Sequence, residues 1–172
     1  MYLKNLLLIL SVYFVNACSG PEQLQSRKIQ SDNTEMLYGQ ITREQLFYDY
    51  PEWLLEYESY NPDSLAIDSL ACIKFSGTIE IYLGTWCSDS RREVPRFFKI
   101  IDKSELAAPE RVKLWALDRR KQLPDNLAEL KKIVRVATFV FINNDGELGR
   151  IIEQPVATLE QDILAIVRNY DR

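Results

Sequence analysis

The sequence predicts an α/β fold: a central mixed β-sheet flanked by helices, with an N-terminal helical extension in front of it. Three observations carry this. Short β-branched or aromatic runs alternate with stretches of helical period. The composition, 47% apolar and 27% charged over 172 residues, suits a packed domain rather than a disordered chain. An Asn143-Asn144-Asp145-Gly146 turn stands between two strand-like runs, the mark of a hairpin.

The elements follow in order. Residues 1–17 read as a secretory signal: Lys4 precedes the apolar run Leu6 to Val15, which falls short of the ~20 residues needed to span a bilayer. Val15-Asn16-Ala17-Cys18 then resembles the lipobox of bacterial lipoproteins. That resemblance implies acylation of Cys18, a membrane lipid anchor, and a place in the bacterial cell envelope facing the periplasm or exterior. The alternative is ordinary cleavage after Ala17, which leaves Cys18 a free thiol. Residues 18–34 are polar and read as a flexible tether. Residues 35–75 read as a helical extension. Thr42 with Gln45 forms a capping-box pattern, Pro51 opens a second helix, and Asn61-Pro62 opens a third that ends near Cys72. Trp53 and Tyr57, four apart, read as core anchors.

The domain proper is expected over 76–172. Residues 78–83 form a β-rich run, and Val94, Phe97, Phe98 and Ile101 make one apolar stripe on a helix over 88–103. Residues 112–117 alternate as a strand, 124–132 read as a short helix, and 138–142 and 147–153 pair across the hairpin. Thr158 with Gln161 caps a last helix that presents Leu159, Ile163, Ile166, Val167 and Tyr170. The helices from 88 and 158 are expected on opposite faces of the sheet.

Several functions are excluded early. The chain has no histidine, which removes His-based triads, bases and metal ligands. A net charge of -4 gives no basic field for nucleic acid. Three cysteines make no disulfide scaffold and no metal-ligand spacing, and no glycine-rich phosphate loop is present; no metal or cofactor is expected.

The chemistry concentrates at Trp86-Cys87-Ser88-Asp89-Ser90-Arg91-Arg92-Glu93-Val94-Pro95. A strand runs into a Trp-Cys pair at a helix start, and a proline follows eight residues later. This resembles the thioredoxin superfamily, in particular its membrane-anchored, periplasm-facing members. The resemblance spans about residues 76–170. It implies a thioredoxin-like fold in which Cys87 is the nucleophile and Trp86, Ala137 and Thr138 line the binding groove. A cysteine at a helix N-terminus meets unpaired N–H groups and the positive dipole end, so the thiolate is favoured. Arg91 and Arg92 are expected to help and Asp89 to oppose.

The chain departs from that family in three places. Ser90 occupies the position of the resolving cysteine. Ala137 replaces the proline of the family's cis-Pro loop. Ile81 replaces an acidic residue of the preceding strand. A cis bond costs ~2.5–4 kcal/mol before a non-proline residue, so Val136–Ala137 is expected trans. Cys72 is separated from Cys87 by ~23 Å of strand and reads as a small buried hydrophobe. The resulting expectation is single-thiol disulfide exchange: Cys87 forms mixed disulfides with protein or peptide clients that bear disulfides or oxidised thiols, and an external thiol releases them. The competing expectation is a redox-inactive module that binds peptides or proteins on the same fold.

Overall fold

The computed structural model describes residues 26–31 and 34–168. The signal segment, Cys18, most of the 18–34 stretch and Tyr170 lie outside the described residues.

Two strands open the described chain, β1 (Arg27–Ser31) and β2 (Thr34–Ile41), paired antiparallel. Both differ from the sequence expectation, which places a tether and then helix here. β1 is polar and charged, a composition that suits an edge strand and hides it from pattern reading. β2 lacks strict alternation and carries Gly39 at φ 96°. Its pairing with a later strand, and the burial of Met36 and Leu37, make it a strand.

Three helices follow. α1 (Arg43–Asp49) starts at Thr42, whose hydroxyl accepts from the Gln45 amide at 3.1 Å, as the capping pattern predicts. α2 (Pro51–Ser59) begins on Pro51, and fully buried Trp53 anchors it. α3 (Ser64–Ala71) is capped by Asp63, two residues beyond the expected Asn61. A carboxylate that accepts from the Leu65 amide outcompetes the asparagine as cap. Cys72 closes α3 and is exposed, not buried as expected, because it stands at the helix end rather than on the apolar face.

β3 (Thr78–Leu83) then leads into α4 (Ser88–Ser104), and β4 (Val112–Ala116) returns parallel to β3. A 3₁₀ turn and the four-residue α5 (Leu127–Leu130) replace the longer helix expected over 124–132, since Asp125 and Asn126 take positive φ. β5 (Thr138–Asn143) and β6 (Gly146–Ile152) form the expected hairpin, and α6 (Leu159–Val167) closes the described chain behind its Thr158 cap. The Asn143 side chain accepts from the Asp145 and Gly146 amides and so shapes the turn.

The result is an α/β protein with a mixed six-stranded sheet in the order β1-β2-β4-β3-β5-β6, flanked by helices. Ile79, Ile81 and Leu83 alternate with Glu80 and Tyr82, so β3 feeds two cores. On one face Phe97 stacks on Phe139, with ring centres 5.0 Å apart. Residues of α1 through α4 and of α6 join that core. α4 and α6 therefore share a face, contrary to expectation. The other face is covered by the segment from Leu117 to Val136, through Leu123, Ala128 and Ile133. The apolar stripes alone do not say which face they meet.

Charged residues of α4 tie the N-terminal helices down. Arg96 pairs with Glu56 at 2.6 Å and lies over the Tyr60 ring. Asp102 accepts two hydrogen bonds from Arg43, at 2.8 and 2.6 Å, and one from Tyr57 at 2.8 Å. Desolvation pushes the Asp102 carboxyl up, but the Arg43 and Tyr57 hydrogen bonds outweigh it and hold it below the usual aspartate value. A depressed folded value means stability that is present above the unfolded value and lost as pH falls through the folded one. Asp102→Asn is therefore expected to cost about 0.5–1 kcal/mol at neutral pH. Urea midpoints compared at pH 6 and pH 3 should then fall less in the variant than in the wild type; an equal fall removes Asp102 from the acid response.

Candidate active site around Cys87

The C-terminal end of β3 and the start of α4 meet at a tight turn. The Cys87 amide donates to the Gly84 carbonyl at 2.9 Å, and the Cys87 carbonyl accepts the first helical bond from Arg91 at 3.1 Å. Cys87 is thus the N-cap residue, in extended backbone with φ -96° and ψ 128°. No side chain caps this helix. Its leading N–H groups are left without a side-chain partner at the end where the sulfur stands. The thiol is partly exposed and donates to the Val136 carbonyl at 3.1 Å.

Each flanking residue has a defined contact. Trp86 Nε1 donates to the Leu117 carbonyl at 3.0 Å, which holds the indole across the turn. A Cβ added to Gly84 would stand 2.6 Å from Trp86 Cε2, so the glycine makes room for that ring. Ser90 is fully buried, and its Oγ accepts from the Gly84 amide at 3.1 Å. Thr85 reaches the other way and accepts from the Leu37 amide at 3.3 Å, which joins the turn to β2.

The opposing wall is the 135–138 loop. The Val136–Ala137 peptide is cis, where the preference of an isolated peptide predicts trans. Three contacts hold this loop. The Val136 carbonyl takes the Cys87 thiol, the Ala137 carbonyl accepts from the Glu153 amide at 2.6 Å, and the Thr138 hydroxyl donates to the Arg135 carbonyl at 2.7 Å. Ala137 and Thr138 are buried, so they support the loop from behind.

The charges expected near the thiol are partly committed elsewhere. Arg92 pairs with Asp89 at 3.0 Å and with buried Glu93 at 2.6 Å. Arg91 is exposed on the first turn. Glu80, one residue from the acidic position of the related pattern, points to the other core, where it accepts from Tyr82 and pairs with Lys131, both at 2.8 Å. Burial, with that hydrogen bond to Glu80, pushes the Tyr82 hydroxyl well above the usual tyrosine range and keeps it a donor. Glu153 pairs with Arg135, so Glu80 and Glu153 do not converge.

The structure thus brings Trp86, Cys87, Ser90 and the 136–138 loop together. Sequence reading missed the Thr85–Leu37 link, and β2 carried no signal that would have exposed it. A cavity of about 670 Å³ lies elsewhere, at the C-terminal end of α4 between Arg43, Phe98, Asp102 and Leu114. It touches none of the Cys87 contacts.

No family model matches the chain. No curated protein matches it either. Among solved structures it is similar to a protein of unknown function from Pseudomonas aeruginosa, with TM-score 0.49 and 14% identity over 72% of this chain and 86% of that one. It is similar also to an HIV epitope scaffold, with TM-score 0.49 and 13% identity over 75% of this chain and 99% of that one. Neither likeness bears on the chemistry. Among the described residues no three His, Cys, Asp or Glu side chains gather as a metal site, and no helix is long and apolar enough to cross a membrane.

Proposed function

We propose that this chain is a thioredoxin-like, lipid-anchored envelope protein in which Cys87 carries out single-thiol disulfide exchange. One juxtaposition supports the reading: a partly exposed Cys87 sulfur at the uncapped start of α4, 3.1 Å from the Val136 carbonyl of the 135–138 loop. The thiolate is the reactive form, and a partly exposed sulfur at a helix N-terminus is where such reactivity is found. Ser90 cannot resolve an adduct by exchange because an alcohol is not a thiol. The mixed disulfide therefore waits for an external thiol reductant. Clients are proteins or peptides with disulfides or oxidised thiols. Acylated Cys18 holds the protein at the membrane, facing the periplasm or exterior.

The test uses the full-length chain in a Cys72→Ser background, extracted from membranes. Incubation with a disulfide peptide should give one adduct, mapped to Cys87 by mass spectrometry and absent from Cys87→Ser, with acyl mass on Cys18. Absence of any Cys87 adduct would falsify the exchange reading and favour a peptide-binding module that performs no chemistry.

A further inference from the structure

The wall of the site beyond Trp86 is a cationic turn. Leu117 is followed by Asp118-Arg119-Arg120-Lys121. The turn closes with a Lys121 N–H to Asp118 carbonyl bond of 2.9 Å, and the Asp118 carboxylate accepts from the Gln122 amide at 2.8 Å. Its one carboxylate is thus engaged with backbone. Arg119 and Arg120 are exposed, and the Arg119 guanidinium lies 5.7 Å from the centre of the Trp86 ring. Among the described residues no salt bridge engages Arg119, Arg120 or Lys121.

Two acids of the segments that flank the site are already partnered: Asp89 pairs with Arg92 at 3.0 Å, and Glu153 with Arg135 at 2.7 Å. The chain as a whole carries a net charge of -4, so this cationic rim runs against its overall balance. Charge on the rim of a site, without a salt-bridge partner, acts mainly on encounter, by raising the local concentration of partners of opposite sign.

We infer that the Cys87 site selects acidic clients, whose reacting cysteine is flanked by Asp or Glu that face the 119–121 turn. The inference rests on the exchange reading above and names its substrate class. In the step itself Cys87 loses its proton to solvent, and its sulfur attacks one sulfur of the client disulfide. The Cys87–client S–S bond forms as the client S–S bond breaks, and the second sulfur leaves as a thiolate. No added oxidant or reductant is needed.

The test uses three peptides of equal length whose single cysteine is activated as a pyridyl disulfide. Two Glu, two Gln or two Lys flank that cysteine. Release of thiopyridone gives the rate, divided by that of 2-mercaptoethanol, a thiol with no other charge, with the same peptide to remove intrinsic differences. The full-length chain in the Cys72→Ser background should react with the Glu peptide about tenfold faster than with the Lys peptide, with Gln between. Raising the salt to 1 M should collapse this order, because the Debye length falls to ~3 Å. Arg120→Gln with Lys121→Gln should shrink the Glu-over-Lys preference at least threefold. Circular dichroism of the variant checks that it is folded, and the salt series on unsubstituted 119–121 needs no variant at all. Equal normalised rates for the three peptides, or an order unaffected by salt, overturn the inference while leaving exchange intact. No reaction with any peptide overturns the exchange reading itself.

Discussion

Ser90→Cys should convert the site from a trap into a turnover centre. Residues three apart in a first helical turn have Cβ atoms ~5–6 Å apart, close enough for a disulfide to form with small adjustment. In the wild type, the Cys87 adduct is released only by external thiol. A tethered second thiol acts at an effective concentration near millimolar, against micromolar for a free reductant. The adduct lifetime should therefore fall about 1,000-fold, and turnover with added reductant should rise. The Ser90 oxygen accepts from the Gly84 amide, so a weaker sulfur acceptor there should cost about 1 kcal/mol. Stopped-flow decay of a preformed Cys87–peptide adduct measures the effect. Wild-type lifetimes in the variant would mean that position 90 does not face the adduct.

Removal of residues 1–75 should leave a chain that does not fold. The sequence marks 76–172 as the domain and what precedes it as tether and helical extension. In the structure, Met36, Leu37, Leu46, Trp53 and Leu70 are all fully buried, and all but Met36 lie in the core that holds Phe97 and Phe139. At ~1.5–3 kcal/mol for each large apolar side chain, their loss removes about 8–15 kcal/mol. A domain's whole stability is ~5–15 kcal/mol. Loss of β2 also bares the edge of β4. Near-ultraviolet circular dichroism should show no fixed aromatic signal for the 76–172 chain. A cooperative urea transition in that fragment would show that residues 1–75 are dispensable.

These expectations mark where the sequence was legible. The strands at 78–83 and 138–143, the stripe of α4, the Asp-Gly hairpin and the Thr42 and Thr158 caps follow from local rules, and they stand where the pattern puts them. The Cys87 turn is local too, since Gly84, Trp86, Cys87 and Ser90 lie within seven consecutive residues. What the pattern hides depends on partners far along the chain. β2 is a strand because β4 pairs with it, and the 136–137 peptide is cis in contact with Cys87 and Glu153. Glu160 is buried, against the habit of glutamate, because the Tyr60 hydroxyl and the Asp63 amide, some hundred residues earlier, donate to it at 2.8 and 2.6 Å. None of these partnerships has a signature in the neighbouring sequence.

The exposed Cys72 at the end of α3 supplies an internal clock. It shares every tube, temperature and reagent concentration with Cys87, yet sits on another element with no part in the turn. Brief labelling of the intact wild type, followed by digestion, yields two peptides whose label ratio compares the two thiols directly. Errors in protein concentration, reagent decay and timing cancel in that ratio. A pH series of the ratio then separates what the helix start does to Cys87 from what pH does to any surface thiol.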